Sequence, residues 1–275
     1  MKANLSTSNM LFSQMSKYWI EIADAHLTIN QIEFVKNSVP SDSLVLDLCC
    51  GHGRHANPLS KAGYSIVGLD ISRNLLKVAK NTADDANADL PLVLADMRFL
   101  PFRKGVFSAV ISLDSSFGYL PSEAEDLKSF HEISRILATN GICLVDLFNE
   151  PYLNEHQSAW LSFNISEIYF KFQPFREMLA RLFQWREYST FYLHEKNRVN
   201  SQRQIWSLFW VFCDKKKGII RTFYHFLRLY NLPQIRTLMQ KAGLQVTAPF
   251  GNYNGDNYNR NSKRLIIKAS NLPFV

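Results

Sequence analysis

Between Ser43 and Asn149 the chain alternates short apolar runs with longer stretches of mixed polarity. "SLVLDLCC", "YSIVGLD", "LPLVLAD", "VFSAVISLD" and "NGICLVDLFN" are rich in Val, Ile and Leu. Each predicts a strand buried on both faces. "RHANPLSKAG", "SRNLLKVAKNTADD" and "SEAEDLKSFHEISRILATNG" carry helical patterns between them. The third repeats Leu127, Phe130, Ile133, Ile136 and Leu137 at helical spacing, and Gly141 is the expected stop. Strands and helices alternating at this spacing predict an α/β fold, a Rossmann-like, doubly wound, mostly parallel sheet.

Beyond Asn149 the pattern changes. "MLARLFQWREYSTFYLHEKN", "RVNSQRQIWSLFWVFCD" and "GIIRTFYHFLRLY" favour antiparallel hairpins, with a turn over Asp214–Gly218. A helix, "LPQIRTLMQKAGL", then precedes two strand-like runs, "LQVTAPF" and "RLIIKAS". These two complete a seven-stranded sheet as an antiparallel pair at its edge. The expected organisation is a helical lead-in ("KYWIEIADAHLTINQIEFVKNSV") and core over 1–151, an antiparallel β insertion over 152–230 between strands five and six, and completion of the core over 231–275.

The loop after the first strand, "LDLCCGHGRHA" from Leu46 to Ala56, carries the chemistry. Its G-x-G-x-x-A, with Asp70 about twenty residues on, also fits a dinucleotide site. Asp47 separates the two readings. A carboxylate at the end of the first strand repels a pyrophosphate, and a further acid, Asp96, ends the third strand. A ligand placed among Asp47, Asp70 and Asp96 needs cationic or hydrogen-donating groups, as S-adenosylmethionine has in its sulfonium, ammonium, ribose hydroxyls and adenine amine. A metal site at Cys49, Cys50, His52 and His55 is disfavoured, because neighbouring side chains at a strand end diverge and no second cluster completes a tetrahedral set.

"VLDLCCGHGRHA", "GLDIS", "LADMRFLPF" and "VISLDSSFGYL" together resemble the successive motifs of class I S-adenosylmethionine-dependent methyltransferases, of the small bacterial and archaeal type. The resemblance implies that Gly51 and Gly53 pass under the methionine portion of the cofactor and that Asp47 helps hold its ammonium. It implies Asp70 on both ribose hydroxyls, Ile71 and the Met97 backbone at the adenine, and Asp96 on the adenine amine. Leu113 and Asp114 then lie beside the methionine portion and the methyl. Cys49 departs from the pattern, standing where many members have a glycine.

Methyl transfer requires alignment and exclusion of water, and a base only for acceptors that must lose a proton. Tyr119, just beyond the fourth strand, is the first candidate to reach the methyl, and His225 of the insertion is the second. Tyr18, Trp19 and Tyr253 are candidates to touch the acceptor. The fourth-strand motif is not the Asn-Pro-Pro-Tyr type associated with amino groups of nucleic-acid bases or glutamine.

Composition narrows the picture little. A formal charge of +7 leaves nucleic acid open as a partner, but the basic residues are scattered. A small-molecule acceptor is therefore expected, with an RNA methyltransferase and a non-catalytic cofactor-binding protein as the alternatives. No run of about eighteen apolar residues marks a membrane span. The four cysteines read as buried thiols, and the start lacks signal-peptide character, so a cytoplasmic protein is expected. The oligomeric state is not encoded in these patterns.

Overall fold

The computed structural model describes residues 6–23, 25–156, 185–218 and 220–271. The lead-in is two helices, α1 (Ser6–Ile22) and α2 (Ala25–Ser38), the first beginning ahead of the stretch that predicted it. The core follows as β1 (Leu44–Leu48), α3 (Ala56–Lys61), β2 (Ser65–Asp70), α4 (Arg73–Asp85), β3 (Leu92–Leu94), β4 (Phe107–Ser112), α5 (Glu123–Ile136), β5 (Leu137–Phe148) and α6 (Glu150–Glu155). After β6 (Arg186–Glu187), β7 (Phe191–Asn200), β8 (Ile205–Asp214) and β9 (Ile220–Arg228) come α7 (Leu232–Lys241), β10 (Leu244–Phe250) and β11 (Arg264–Asn271).

Seven strands form one sheet in the order β10-β11-β5-β4-β1-β2-β3. Its first five strands in sequence are parallel, and β11 runs antiparallel between β5 and β10. The sheet is the mostly parallel, Rossmann-like sheet that the alternation predicts. Its central strands are buried on both faces, as their unbroken apolar runs require. Edge strand β3 differs: Leu92 and Val93 are half-buried and Leu94 is exposed.

Apolar clusters fill both faces. One holds Leu48, Phe107, Phe117, Phe130, Ile133 and Leu238, and the other Phe34, Val35, Leu59, Tyr64, Ile111 and Ile266. Helix α4 starts where the Ser72 hydroxyl accepts from the Leu75 amide, and it buries Leu75, Leu76, Ala79 and Ala83 along one stripe. Each such leucine contributes about 1.5–3 kcal/mol. Asn231 and Gln234 form a reciprocal capping box that opens α7.

Gly141 does not end a helix. Helix α5 stops at Ile136, and Leu137 is already extended and paired with Phe107. The chain then makes a detour before Ile142 pairs with Ala109. Gly141 lies in that detour, where an added Cβ would stand 2.9 Å from the Ala138 carbonyl oxygen. Sheet pairing of Leu137 overrides the helical periodicity that runs through it.

The chain divides into two compact units, residues 1–153 with 229–275, and residues 154–228. The second holds a four-stranded antiparallel sheet, β6-β7-β8-β9, with the expected turn after Asp214. Among the described residues no helix is long and apolar enough to cross a membrane.

Candidate functional site

In the first unit a cavity of about 120 Å³ opens beside the loops that follow β1, β2 and β4. Ligand sites of α/β sheets lie at this end of the strands. Cys49, Gly51, Asp70, Ile71, Leu75, Met97 and Leu113 line one part of it. Phe12, Trp19, His52, Arg54, Asp114 and Tyr119 line the other.

The first part is built largely by main chain. Cys49, Gly51 and Gly53 all take left-handed backbone conformations, with φ of 63°, 56° and 78°. That conformation costs a residue with a Cβ roughly 1–2 kcal/mol, so Cys49 holds strain that a glycine would not. Gly53 is required for packing as well, because a Cβ there would meet Asn57 Nδ2 at 2.7 Å and the Ala79 Cβ at 3.0 Å. The Gly51 amide donates to Asp70 Oδ2 at 2.9 Å and the Ser72 amide to Asp70 Oδ1 at 2.8 Å. Burial pushes the Asp70 carboxyl up, and these backbone donors oppose it.

Asp47 is 1% exposed, and among the described residues its Oδ2 meets no hydrogen-bond partner. Burial raises its carboxyl to about 7, against the pull of Arg54 and with a further push from Asp70. A buried acid with one oxygen unpartnered beside Asp70 is a suitable counter-charge for a cationic ligand. Asp96 is engaged by Arg98, whose amide and Nε both reach Oδ1 at 2.9 Å and whose Nη2 reaches Oδ2 at 2.5 Å. Burial raises its carboxyl, but Arg98 outweighs burial and the net shift is downward.

The second part is held by side chains. Asp114 and Ser115 follow β4 with φ of 65° and 62°. The Asp114 amide donates to Asp146 Oδ2 at 2.9 Å, and Asp114 Oδ2 pairs with Arg54 Nη2 at 2.9 Å. Arg54 Nη1 also donates to Gln31 Oε1 at 2.8 Å and Thr28 Oγ1 at 2.5 Å. Gln31 Nε2 donates to the Tyr253 hydroxyl at 2.9 Å, and that hydroxyl donates to Asp146. The chain of bonds therefore closes on itself: Asp114, Arg54, Gln31, Tyr253, Asp146 and back to Asp114. Arg264 braces it, donating through Nε to Asp146 Oδ1 at 2.8 Å, through Nη2 to Asp146 Oδ2, and to Ser115 Oγ at 2.6 Å. Two guanidiniums and two carboxylates leave this buried network without net charge.

Of the residues singled out in the sequence, Gly51, Asp70, Ile71, Met97, Leu113, Asp114, Trp19 and Tyr119 come together around the cavity. Asp47, Gly53, Asp96, Tyr18 and Tyr253 are not among its lining. Tyr18 is buried in α1 with Lys17 Nζ 4.4 Å from its ring centre, and Tyr253 is occupied in the ring of bonds just described. His225 lies in the second unit, edge-on to Trp210 at 4.9 Å, with its pKa lowered to about 4 by burial. His52 is lowered to about 4 as well, by burial and then by Arg54. Among the described residues no three His, Cys, Asp or Glu side chains are grouped to hold a metal ion.

Sequence reasoning missed Phe12, Gln31, Arg54, Asp146 and Arg264. Arg54 stands inside the quoted loop, and Asp146 is an acid within the apolar run "CLVDLFN", which was a readable signal. Phe12 and Gln31 carry no comparable mark.

Residues 45–141 match the family model described as a methyltransferase domain. The chain is 37% identical over 116 residues to a glycine/sarcosine N-methyltransferase of Parasynechococcus marenigrum, covering 42% of this chain and 41% of that one. It is 28% identical over 184 residues to a demethylmenaquinone methyltransferase of Staphylococcus saprophyticus, covering 64% and 74%. The CcbJ methyltransferase of Streptomyces caelestis shares the fold, with a TM-score of 0.75 over 95% of this chain and 96% of that one at 16% identity. The chain spans about half the length of the first curated relatives it matches.

Proposed function

Since this chain belongs to the class I S-adenosylmethionine-dependent methyltransferases, we propose that it methylates a small-molecule acceptor by in-line displacement. The observation that carries the reading is one cavity lined both by the β1-loop residues Cys49 and Gly51 with Asp70 and by the side chains of Phe12, Trp19, Arg54, Asp114 and Tyr119. When bound, S-adenosylmethionine supplies a methyl group activated by its positively charged sulfur. The protein's task is then to bind, align and exclude water.

In this reading Asp70 accepts from both ribose hydroxyls through lone pairs its backbone donors leave unused. Ile71, Leu75 and Met97 pack around the adenine, and Asp96 accepts from the adenine amine. Gly51 and Gly53 let the main chain approach the methionine portion, whose ammonium Asp47 offsets. Leu113 and Asp114 lie beside the methyl, and Trp19 and Tyr119 face the acceptor. The relatives named above act, by their names, on glycine, sarcosine and demethylmenaquinone, which supports a small acceptor.

A screen of small acceptors with isotope-labelled S-adenosylmethionine, reading the product's mass, tests the proposal. One or more methylated small molecules are expected. Methyl incorporation into RNA alone, with salt-dependent retention on RNA, would overturn it.

A further inference from the structure

We propose that the outer part of the cavity is an amine site, in which Asp114 meets the acceptor nitrogen and Phe12, Trp19 and Tyr119 hold its apolar body. The inference rests on the cofactor reading above. It begins with an aromatic wall. Phe12 and Trp19, two turns apart on α1, meet edge-on with ring centres 6.3 Å apart, and Phe12 meets Tyr119 in the same way at 5.2 Å. All three line the cavity with Asp114. Aromatic faces beside a carboxylate favour an organic cation over an anion.

Asp114 is suited to the role by how it is held. Its main chain is pinned by Asp146 and one carboxylate oxygen by Arg54, while the side chain stays 29% exposed. The ion pair with Arg54 uses Oδ2, leaving the lone pairs of Oδ1 for a ligand. Left-handed backbone at two successive non-glycine residues persists only where the surroundings enforce it, and such strain gathers at functional sites.

The chemistry agrees. An amine held there as its ammonium first gives up one proton to solvent; the freed lone pair then forms the new bond to the methyl carbon while the carbon–sulfur bond breaks onto sulfur. Positive charge thus passes from sulfur to nitrogen, and no proton need leave during the step. A fixed carboxylate next to that nitrogen stabilises the charge as it develops. A hydroxyl acceptor would need a base, and the cavity histidines are poor ones: His52 is lowered to about 4, and His55 lies well below its usual range through burial and Arg54.

Ligand-observed NMR titration of the full chain, saturated with S-adenosylhomocysteine, tests the idea with three probes of one shape: phenethylamine, 2-phenylethanol and phenylacetate. The amine should bind at least tenfold tighter than the alcohol, with the carboxylate weakest. Asp114→Asn should abolish that preference, and Phe12→Ala should weaken the amine at least fivefold. In Phe12→Ala the S-adenosylhomocysteine affinity should stay within threefold of the parent. Equal binding of the alcohol or carboxylate, no binding of any probe to the loaded protein, or a preference that survives Asp114→Asn would overturn the inference and leave the cofactor reading standing. A protein that does not bind S-adenosylhomocysteine would overturn both.

Discussion

The loops after β1 and after β4 both force non-glycine residues into left-handed backbone, at Cys49 and at Asp114 and Ser115. They differ in what enforces it. The β1 loop is held by its own amides: Cys50 donates to the Leu69 carbonyl at 3.0 Å, Gly51 to Asp70 and Gly53 to the Cys50 carbonyl at 2.9 Å. The β4 loop is held by side chains from α2, β5, β11 and the residue Tyr253. Main-chain scaffolding suits a ligand shared by a whole family, because it depends little on side-chain identity. A side-chain network is tunable, and suits the part of a site that distinguishes one acceptor from another.

The network should be the more fragile of the two, and its removal gives the largest expected effect. Asp146 is 0% exposed and accepts from the Asp114 amide, Tyr253 and Arg264. Asp146→Ala leaves the buried Arg264 guanidinium without its carboxylate and the Asp114 amide without its acceptor. Unfolding free energy should fall by about 3–5 kcal/mol, read from denaturant midpoints. A loss below about 1 kcal/mol would show that the ring is not what fixes the β4 loop.

Asp70→Ala should affect binding rather than folding. Loss of charge-assisted bonds to the ribose should weaken S-adenosylhomocysteine by about 2–4 kcal/mol, and Asp70→Asn should cost less. Unchanged affinity in a folded variant would place the ribose elsewhere.

Asp47 sharpens the comparison through pH. Its folded pKa of about 7 lies above the unfolded value near 3.8, so the folded chain holds an extra proton between them. The stability this group contributes is therefore present at low pH and declines as pH rises through that window. Asp47→Asn should raise the stability of the ligand-free protein at pH 8 by about 1–3 kcal/mol and change it little at pH 4. The same substitution should weaken S-adenosylmethionine and S-adenosylhomocysteine to a similar degree, because both carry the ammonium that Asp47 offsets. Thermal melts across pH and paired titrations check both halves.

Tyr253→Phe should give the smallest effect, about 1 kcal/mol in stability from the lost hydroxyl bonds, since the ring's shape is preserved. Its interest lies in where the effect falls. Amine-probe affinity should drop three- to tenfold while cofactor affinity holds.

The same contrast explains what the sequence reveals. The β1 loop is legible because its signal is local: an acid, two glycines and a second acid at fixed spacing, framed by apolar runs. The seven-stranded sheet is legible for a similar reason, since periodicity marks each strand. The ring is not legible, because Gln31 and Tyr253 meet across 222 positions and no local pattern pairs them. Tyr253 reads in sequence as a polar loop residue near an opening, yet it is buried and its hydroxyl serves Asp146. The start of β5 was hidden likewise, because pairing with Phe107 sets Leu137 and the helical spacing of Ile133, Ile136 and Leu137 points the other way.

The most direct test of the two-part cavity is calorimetric titration of S-adenosylhomocysteine into the parent protein, Asp70→Ala and Tyr253→Phe, with NAD as competitor. The account predicts one tight site in the parent that NAD does not displace. It predicts a large loss in Asp70→Ala, and affinity within threefold of the parent in Tyr253→Phe. Tight NAD binding without S-adenosylhomocysteine, or a loss confined to Tyr253→Phe, would contradict it.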